Sequence, residues 1–176
     1  AWNVYNSPAW SSGYWNNINV QMNYWHAFST NIAETFESYI DFMNTYMAAA
    51  KSNANHVVWT YNKNMYDQDG GNGWTLGTCS NAYFIQSDRN CGNLGFITQL
   101  YWDYYQYTRN PEVLNMVYDL LADAARFITK CVKNYDGKYL VEYCDSPEMY
   151  VDGVWYYTQG TTYAQTFAYL NNYYVL

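Results

Sequence analysis

The sequence predicts an all-α fold, and three observations support that prediction. Apolar side chains recur every three or four residues between about 22 and 51, as in a helix with one buried face. Two further helical patterns cover 95–108 and a stretch that begins at Pro111 and ends before Asp136 and Gly137. Because only a short break separates them, these helices are expected to form an antiparallel hairpin. The first apolar stripe consists of Phe28, Ile32, Phe36, Ile40, Met43 and Met47.

The composition is that of one folded domain with an unusual aromatic content. Of 176 residues, half are apolar and 22% are aromatic, including 23 tyrosines, which can both pack and hydrogen-bond. The net charge of −7, without a basic cluster, argues against nucleic acid as a partner. No apolar run is long enough to span a membrane, and the first residues lack the features of a signal peptide. A piece of a longer protein is the favoured interpretation, with a mature protein as the alternative.

The elements of the first half follow in chain order. Residues 1–16 are predicted to be a loop rich in tryptophan and serine. The apolar stripe after it fits either one long helix or two, the second capped within 29–31. Residues 52–91 are the least regular part of the sequence. Their 67–73 stretch weakly resembles a calcium-binding loop but lacks the later glutamate, so a solvated turn is favoured and no metal site is predicted.

The second half is predicted to begin with the helical hairpin and to end in shorter elements. Asn110 and Pro111 are typical of an N-cap and of the first position of a helix. Residues 139–144 alternate as a strand does, 145–148 are predicted to be a loop, and a last helix is predicted to open at Gly160.

The four cysteines of this acidic chain suggest an oxidising compartment. Four cysteines allow three pairings. The two local ones are favoured, Cys79 with Cys91 and Cys131 with Cys144, because each closes a short loop. Four buried thiols are the alternative. The Cys-x-x-Cys spacing typical of zinc sites is absent.

Two asparagines, Asn17 and Asn19, stand just before the first helical stripe. In an extended segment this spacing puts both side chains on the same side of the chain. Tyr24 and Trp25 follow, where the chain enters the helix. Amides that donate and accept hydrogen bonds, beside rings that cover apolar sugar faces, suit a polyhydroxylated ligand. The alternative is a polar loop that only caps the helix.

Two segments of the sequence resemble glycoside hydrolase family 95, the α-L-fucosidase and α-L-galactosidase family. The first carries that family's Asn-x-Asn, its Met-Asn-Tyr-Trp and a following Asn-x-x-Glu, and the second is its Ser-Pro-Glu. His26 stands where the family usually has proline, and softer similarity covers Trp74 with its neighbours and the 95–139 segment. The matching residues are Asn17, Asn19, Met22–Trp25, Asn31–Glu34 and Ser146–Glu148.

The resemblance implies a fold and an activity. Residues 1–176 would form one partial catalytic domain, cut at both ends, of an (α/α)6 toroid with long aromatic-rich loops. The activity would be inverting hydrolysis of terminal α-L-fucosides or α-L-galactosides, outside the cell or at its surface. Fucosylated or galactosylated glycans would be its partners, and no cofactor is implied.

The resemblance also assigns roles to individual residues. Glu148 would protonate the departing glycosidic oxygen, which requires a carboxyl group kept protonated by an apolar wall. Asn17 and Asn19 would position the attacking water and the general base. The candidate sugar-contacting rings are those of Tyr24, Trp25 and Trp74.

Two departures from the family pattern leave other functions open. Inversion needs a second carboxylate roughly 6.5–9.5 Å from the acid, and the family's downstream aspartate segment has no counterpart here. Ala164 stands where the family has an aspartate, in the helix after Ser-Pro-Glu. One alternative is therefore a glycan-binding relative without catalysis. The other is a structural surface or filament protein with tyrosine-rich faces.

Overall fold

The computed structural model describes residues 6–81, 84–85, 91–141, 149–151 and 154–156, in which helices dominate. The α-helices are α1 (Asn19–Met22), α2 (Trp25–Ser29), α3 (Glu37–Tyr61), α4 (Cys91–Thr108) and α5 (Pro111–Cys131). Ala9–Ser12, Ala33–Phe36 and Lys63–Met65 form 3-10 helices. The strands are β1 (Tyr14–Trp15), β2 (Cys79–Asn81), β3 (Phe84–Ile85), β4 (Val132–Tyr135), β5 (Lys138–Val141), β6 (Met149–Val151) and β7 (Val154–Tyr156). This confirms the predicted all-α class, to which short strands are added.

The strands form three small antiparallel sheets in the described part of the chain. The strands β1, β2 and β3 form one sheet, with Tyr14 opposite Ser80 and Trp15 opposite Cys79. The strands β4 and β5 form a hairpin that includes the predicted strand from residue 139, and β6 pairs with β7. The first sheet matters most for function, because it fixes the chain just before Asn17.

The first helical stripe is broken rather than continuous, which answers the question of one helix or two. The chain leaves α2 after Ser29, and Asn31 takes a left-handed backbone conformation with φ of 60°. It then passes through a 3-10 helix into α3, which runs to Tyr61. The prediction of irregular structure from residue 52 was therefore wrong at its start. Helix α3 continues because small and β-branched side chains keep its core face apolar, namely Ala50, Ala54, Val57 and Val58.

The predicted helical hairpin is confirmed. The side chain of Asn110 caps α5 by accepting a hydrogen bond from the backbone N–H of Glu112 at 2.9 Å, with Pro111 at the first helical position. Helices α4 and α5 pack side by side, and both contact the long α3 or the short elements before it. Their shared core includes Phe36, Tyr39, Met43, Leu94, Ile97, Leu100, Tyr101, Val117 and Phe127.

A loop after α3, residues 62–73 (the return loop), is fastened to α5 by a buried lysine. Nζ of Lys130 donates hydrogen bonds to the carbonyl oxygens of Met65 at 2.9 Å and Gln68 at 2.6 Å. The side-chain amide of Asn62 donates to the carbonyl of Lys130 itself at 2.8 Å. Burying an ammonium group is costly unless it is hydrogen-bonded, and these two carbonyl oxygens offset part of that cost, so the contact fixes the loop against the helix.

One of the two predicted disulfides is not formed. Cys131 is a free thiol, which contradicts its pairing with Cys144, whereas the pairing of Cys79 with Cys91 stays a prediction. Cys79 lies buried on β2, where its sulfur is 3.9 Å from the carbonyl oxygen of Ser80. Cys144 and the side chain of Cys91 lie outside the described residues.

Candidate active site

The two predicted site asparagines lie in a tight turn, residues 16–19 (the entry turn), and not in an extended segment. Strand β1 ends at Trp15, and α1 already begins at Asn19. Alternation along a strand therefore does not bring the two side chains to one side, and that part of the prediction was wrong. The turn itself still places both amides within one short surface segment.

Asn17 and Asn19 have different environments. Asn17 is half-buried, and its side-chain oxygen Oδ1 is shielded from solvent without a hydrogen-bond partner in the described part of the chain. Asn19 is exposed at the start of α1. A buried acceptor without a donor can accept a hydrogen bond from a hydroxyl group or a water molecule that reaches it.

Two neighbouring amides, Asn16 and Gln21, hold the entry turn in place. Asn16 is fully buried, and its Nδ2 donates to the carbonyl of Gly77 at 3.1 Å and to Oγ of Ser80 at 3.4 Å. Gln21 is also fully buried, and its Nε2 donates to the carbonyl of Asn16. The turn is therefore tied on one side to the β2 region and on the other to α1.

The oxygens of these two amides have no partner. Both Oδ1 of Asn16 and Oε1 of Gln21 are buried and lack a donor within the described residues. Nε1 of Trp15, a donor, is also buried and lacks an acceptor within the described residues. Each unpaired buried polar atom costs about 1–3 kcal/mol of stability unless water reaches it. The entry turn is therefore built at a cost that an apolar turn would avoid.

Sequence reasoning missed Asn16 and Gln21. Gln21 stands between Val20 and Met22 inside a helical pattern, where a lone amide gives no sign of being buried. Asn16 directly precedes the Asn-x-Asn spacing and was assigned to the preceding loop. The available signal was the density of amides, with three asparagines and a glutamine between residues 16 and 21.

The two predicted aromatic residues after the turn both lie next to it. Tyr24 is half-buried and packs on Tyr39 and Phe36, with ring centroids 5.1 and 5.6 Å apart. Trp25 begins α2 with 48% of its surface exposed, so a ligand can reach its ring. Of these two rings, Trp25 is the better placed to cover an apolar sugar face.

Trp74 belongs to the core instead. Its side chain is fully buried, and its indole N–H donates to the carbonyl of Leu120 at 3.0 Å. A ring that is covered on both faces and whose polar atom is already paired cannot stack on a sugar. Trp74 is therefore assigned to packing between the return loop and α5.

Two tyrosines lie behind Tyr24 in the core. The hydroxyl groups of Tyr39 and Tyr101 are buried and lack a partner in the described structure. Burial raises the pKa of both phenols far above the usual value, and for Tyr39 the neighbouring Tyr101 and Tyr24 add to that rise in pKa. Both therefore stay neutral at physiological pH. The uncharged ring of Tyr39 packs against Tyr24, and the uncharged ring of Tyr101 packs against Tyr39.

The predicted general acid, Glu148, lies outside the described residues, as does Ala164. Whether Glu148 faces the entry turn is therefore left as a prediction. Among the described residues, no group of three or more His, Cys, Asp or Glu side chains is arranged to hold a metal ion. The helices of this part of the chain are also all too short or too polar to cross a membrane.

Known proteins resemble the chain over most of its length. Probable alpha-fucosidase A of Aspergillus niger is 29% identical over 153 residues, which are 84% of this chain and 19% of that protein. Alpha-L-fucosidase 2 of Arabidopsis thaliana is 30% identical over 158 residues, 84% of this chain and 17% of that protein. The chain thus spans about a fifth of the length of these relatives. No solved structure is significantly similar to it.

The model of the glycosyl hydrolase family 95 catalytic domain matches residues 1–171. The helical architecture of the described residues agrees with part of an (α/α)6 toroid. A match over nearly the whole sequence, with the family's paired asparagines at the entry turn, shows that this chain belongs to glycosyl hydrolase family 95.

Proposed function

We propose that this chain is part of a glycoside hydrolase that releases terminal α-L-fucose or α-L-galactose from glycans with inversion. Family membership supports carbohydrate hydrolysis, and the names of the two relatives support fucose. One structural observation carries the proposal: in the short segment 17–25, the side-chain oxygen of Asn17 is buried without a partner among the described residues, and the side chains of Asn19 and Trp25 are exposed. We extend the proposal to action outside the cell or at its surface, where glycans are displayed.

In the proposed reaction, the carboxyl group of Glu148 donates its proton to the glycosidic oxygen as the bond to the sugar breaks. A water molecule attacks the opposite face of the sugar and gives its proton to a second carboxylate, so the configuration inverts. Asn17 and Asn19 orient that water and the carboxylate. The general base is not assigned to a residue of this chain.

The test is the hydrolysis of an α-L-fucosyl oligosaccharide by Glu148→Gln. A glutamine keeps the shape but cannot donate a proton, so kcat is expected to fall about 10²–10⁴-fold while sugar binding survives. An aryl fucoside with a good leaving group needs less protonation and should be less affected. The matched control is Glu112→Gln, an exposed glutamate in the first turn of α5, which should leave kcat unchanged. Unchanged turnover by Glu148→Gln would refute the assignment.

A second candidate function is glycan binding without catalysis. It is favoured by Ala164, because an alanine can neither accept a hydrogen bond nor carry the charge of the family's aspartate. In this case the protein would bind fucose, yet Glu148→Gln and wild type would hydrolyse no aryl fucoside. Restoring the carboxylate with Ala164→Asp separates the two functions: hydrolysis that appears only in this variant identifies a degenerate enzyme.

A further inference from the structure

The amide groups of Asn16 and Gln21 have fixed orientations. Their nitrogens donate to carbonyl oxygens, those of Gly77 and Asn16, and a carbonyl oxygen only accepts hydrogen bonds. The NH2 side of each amide must therefore face these carbonyls. Both side-chain oxygens then point elsewhere, and neither has a partner in the described structure. The amides are needed at these positions as donors, and the unpaired oxygens are the consequence.

Other contacts also hold the entry turn, chiefly Val20 of α1, which is buried in the core. Helix α1 has four residues and cannot be stable alone, since an isolated helix needs several turns. The backbone adds a hydrogen bond from the N–H of Asn16 to the carbonyl of Thr78 at 2.7 Å and one from Met22 to Ile18 at 2.9 Å. Ile18, at the tip of the turn, is 40% exposed and anchors it weakly. The positions of Asn17 and Asn19 therefore depend on the two buried amides together with these few contacts.

We propose that Asn16 and Gln21 are positioning residues, which hold the entry turn so that Asn17 and Asn19 face the substrate. Neither side chain needs to touch the sugar. The benefit of this positioning for catalysis rests on the proposed function. The effect of the two amides on the position of the turn does not depend on it. The proposal predicts that removing the side-chain donor of Gln21 loosens the entry turn more than it lowers the stability of the whole protein. An ordinary buried contact would do the opposite.

The first variant is Gln21→Met, which keeps the volume and loses both the donor and the unpaired oxygen. We expect a small drop in melting temperature, because losing the unpaired oxygen of Gln21 partly offsets the cost of leaving the carbonyl of Asn16 without its donor. Hydrogen exchange of the backbone amides in residues 17–22, followed by NMR or mass spectrometry, should become at least roughly tenfold faster. In the hydrolysis of a fucosyl oligosaccharide, kcat should fall and KM should change little, because the reacting groups and not the sugar are displaced.

The second variant is Gln21→Glu, which adds a pH dependence. A carboxylate cannot donate to the carbonyl of Asn16, but a protonated carboxyl group can. Both readouts are compared with wild type at the same pH. As the pH is lowered from about 7 towards 5, hydrogen exchange at the entry turn should slow again and kcat should rise again towards the wild-type value. Burial favours the protonated form of this new carboxyl group. A purely structural role predicts no such recovery.

The matched control is Asn72→Ala in the return loop. Asn72 is also a buried amide, but both ends are paired: its Nδ2 donates to Oδ1 of Asn55 at 2.8 Å, and its Oδ1 accepts from the N–H of Asp67 at 2.7 Å. This variant should melt at a lower temperature and leave exchange at the entry turn unchanged.

Wild-type exchange at residues 17–22 in Gln21→Met would overturn the proposal. So would a drop in melting temperature like that of Asn72→Ala, with faster exchange throughout the protein. If the wild type hydrolyses no fucoside, the proposed function fails, and the exchange and pH measurements still decide whether Gln21 positions the turn.

Discussion

The entry turn and the return loop are both polar segments fastened by buried side chains, yet they satisfy those side chains differently. In the return loop, the ammonium of Lys130 and both ends of the Asn72 amide are paired. In the entry turn, Asn16 and Gln21 are paired through nitrogen only, and the oxygen of Asn17 is unpaired within the described structure.

This difference fits the proposal that the return loop serves stability and the entry turn serves substrate binding. A loop selected for stability alone pairs its buried polar atoms, as the return loop does. A turn that carries unpaired buried acceptors costs stability, and of these acceptors only the oxygen of Asn17 is proposed to meet a hydroxyl group of the substrate. The family's paired asparagines lie in the second kind of region, which supports their proposed role at the substrate.

The largest expected effect comes from forcing the return loop off α5 with Gly73→Ala. Gly73 has φ of +67°, and a Cβ there would collide with the carbonyl oxygen of Asp123 and lie 2.8 Å from the N of Phe127. The strained backbone and the overpacking together should cost about 2–5 kcal/mol, measured by chemical denaturation.

Gly70→Ala is the control for this prediction. Gly70 also has a positive φ, +88°, but a Cβ there would have only ordinary contact with the side chain of Arg126, at 3.6 Å. It should cost only the backbone strain, about 1–2 kcal/mol. Equal losses in the two variants would show that the return loop is not closely packed on α5.

The next largest effect is expected from Lys130→Met. The buried methionine fills a similar volume but leaves the carbonyl oxygens of Met65 and Gln68 without their donor. The free energy of unfolding should fall by about 2–4 kcal/mol in urea denaturation. Thr129→Ala, at an exposed neighbouring position, should stay within about 0.5 kcal/mol of wild type. If Lys130→Met is as stable as Thr129→Ala, the ammonium does not fasten the loop.

Much of the fold could be predicted because local signals agree with the final packing. Asn110 and Pro111 begin α5 as predicted, and the apolar spacing of 111–131 matches its buried face. The end of α3 was misplaced because asparagine and lysine near 51–55 resemble a loop, whereas Ala50, Ala54 and Val57 keep the helix buried on one side. Tertiary burial here overrides local composition.

The candidate site was predicted in part, for physical reasons that differ by residue. Spacing and family resemblance locate Asn17 and Asn19, but neither reveals whether an amide is buried or paired. Trp74 was assigned to the sugar because its segment resembles one that lines the mouth of the toroid in the family, whereas its full burial and its bond to Leu120 place it in the core. The disulfides were predicted from short loops, but loop length alone does not show whether two cysteines meet, and Cys131 remains a thiol.

The most direct test of the central claim is an NMR titration of the 15N-labelled protein with L-fucose. If the entry turn, with the unpaired oxygen of Asn17, faces the substrate, the backbone amide signals of residues 16–25 should shift in a saturable way. The side-chain NH2 signals of Asn17 should shift with them, while the signals of the return loop stay fixed. Saturable shifts confined to the return loop, or none at the entry turn, would contradict the account.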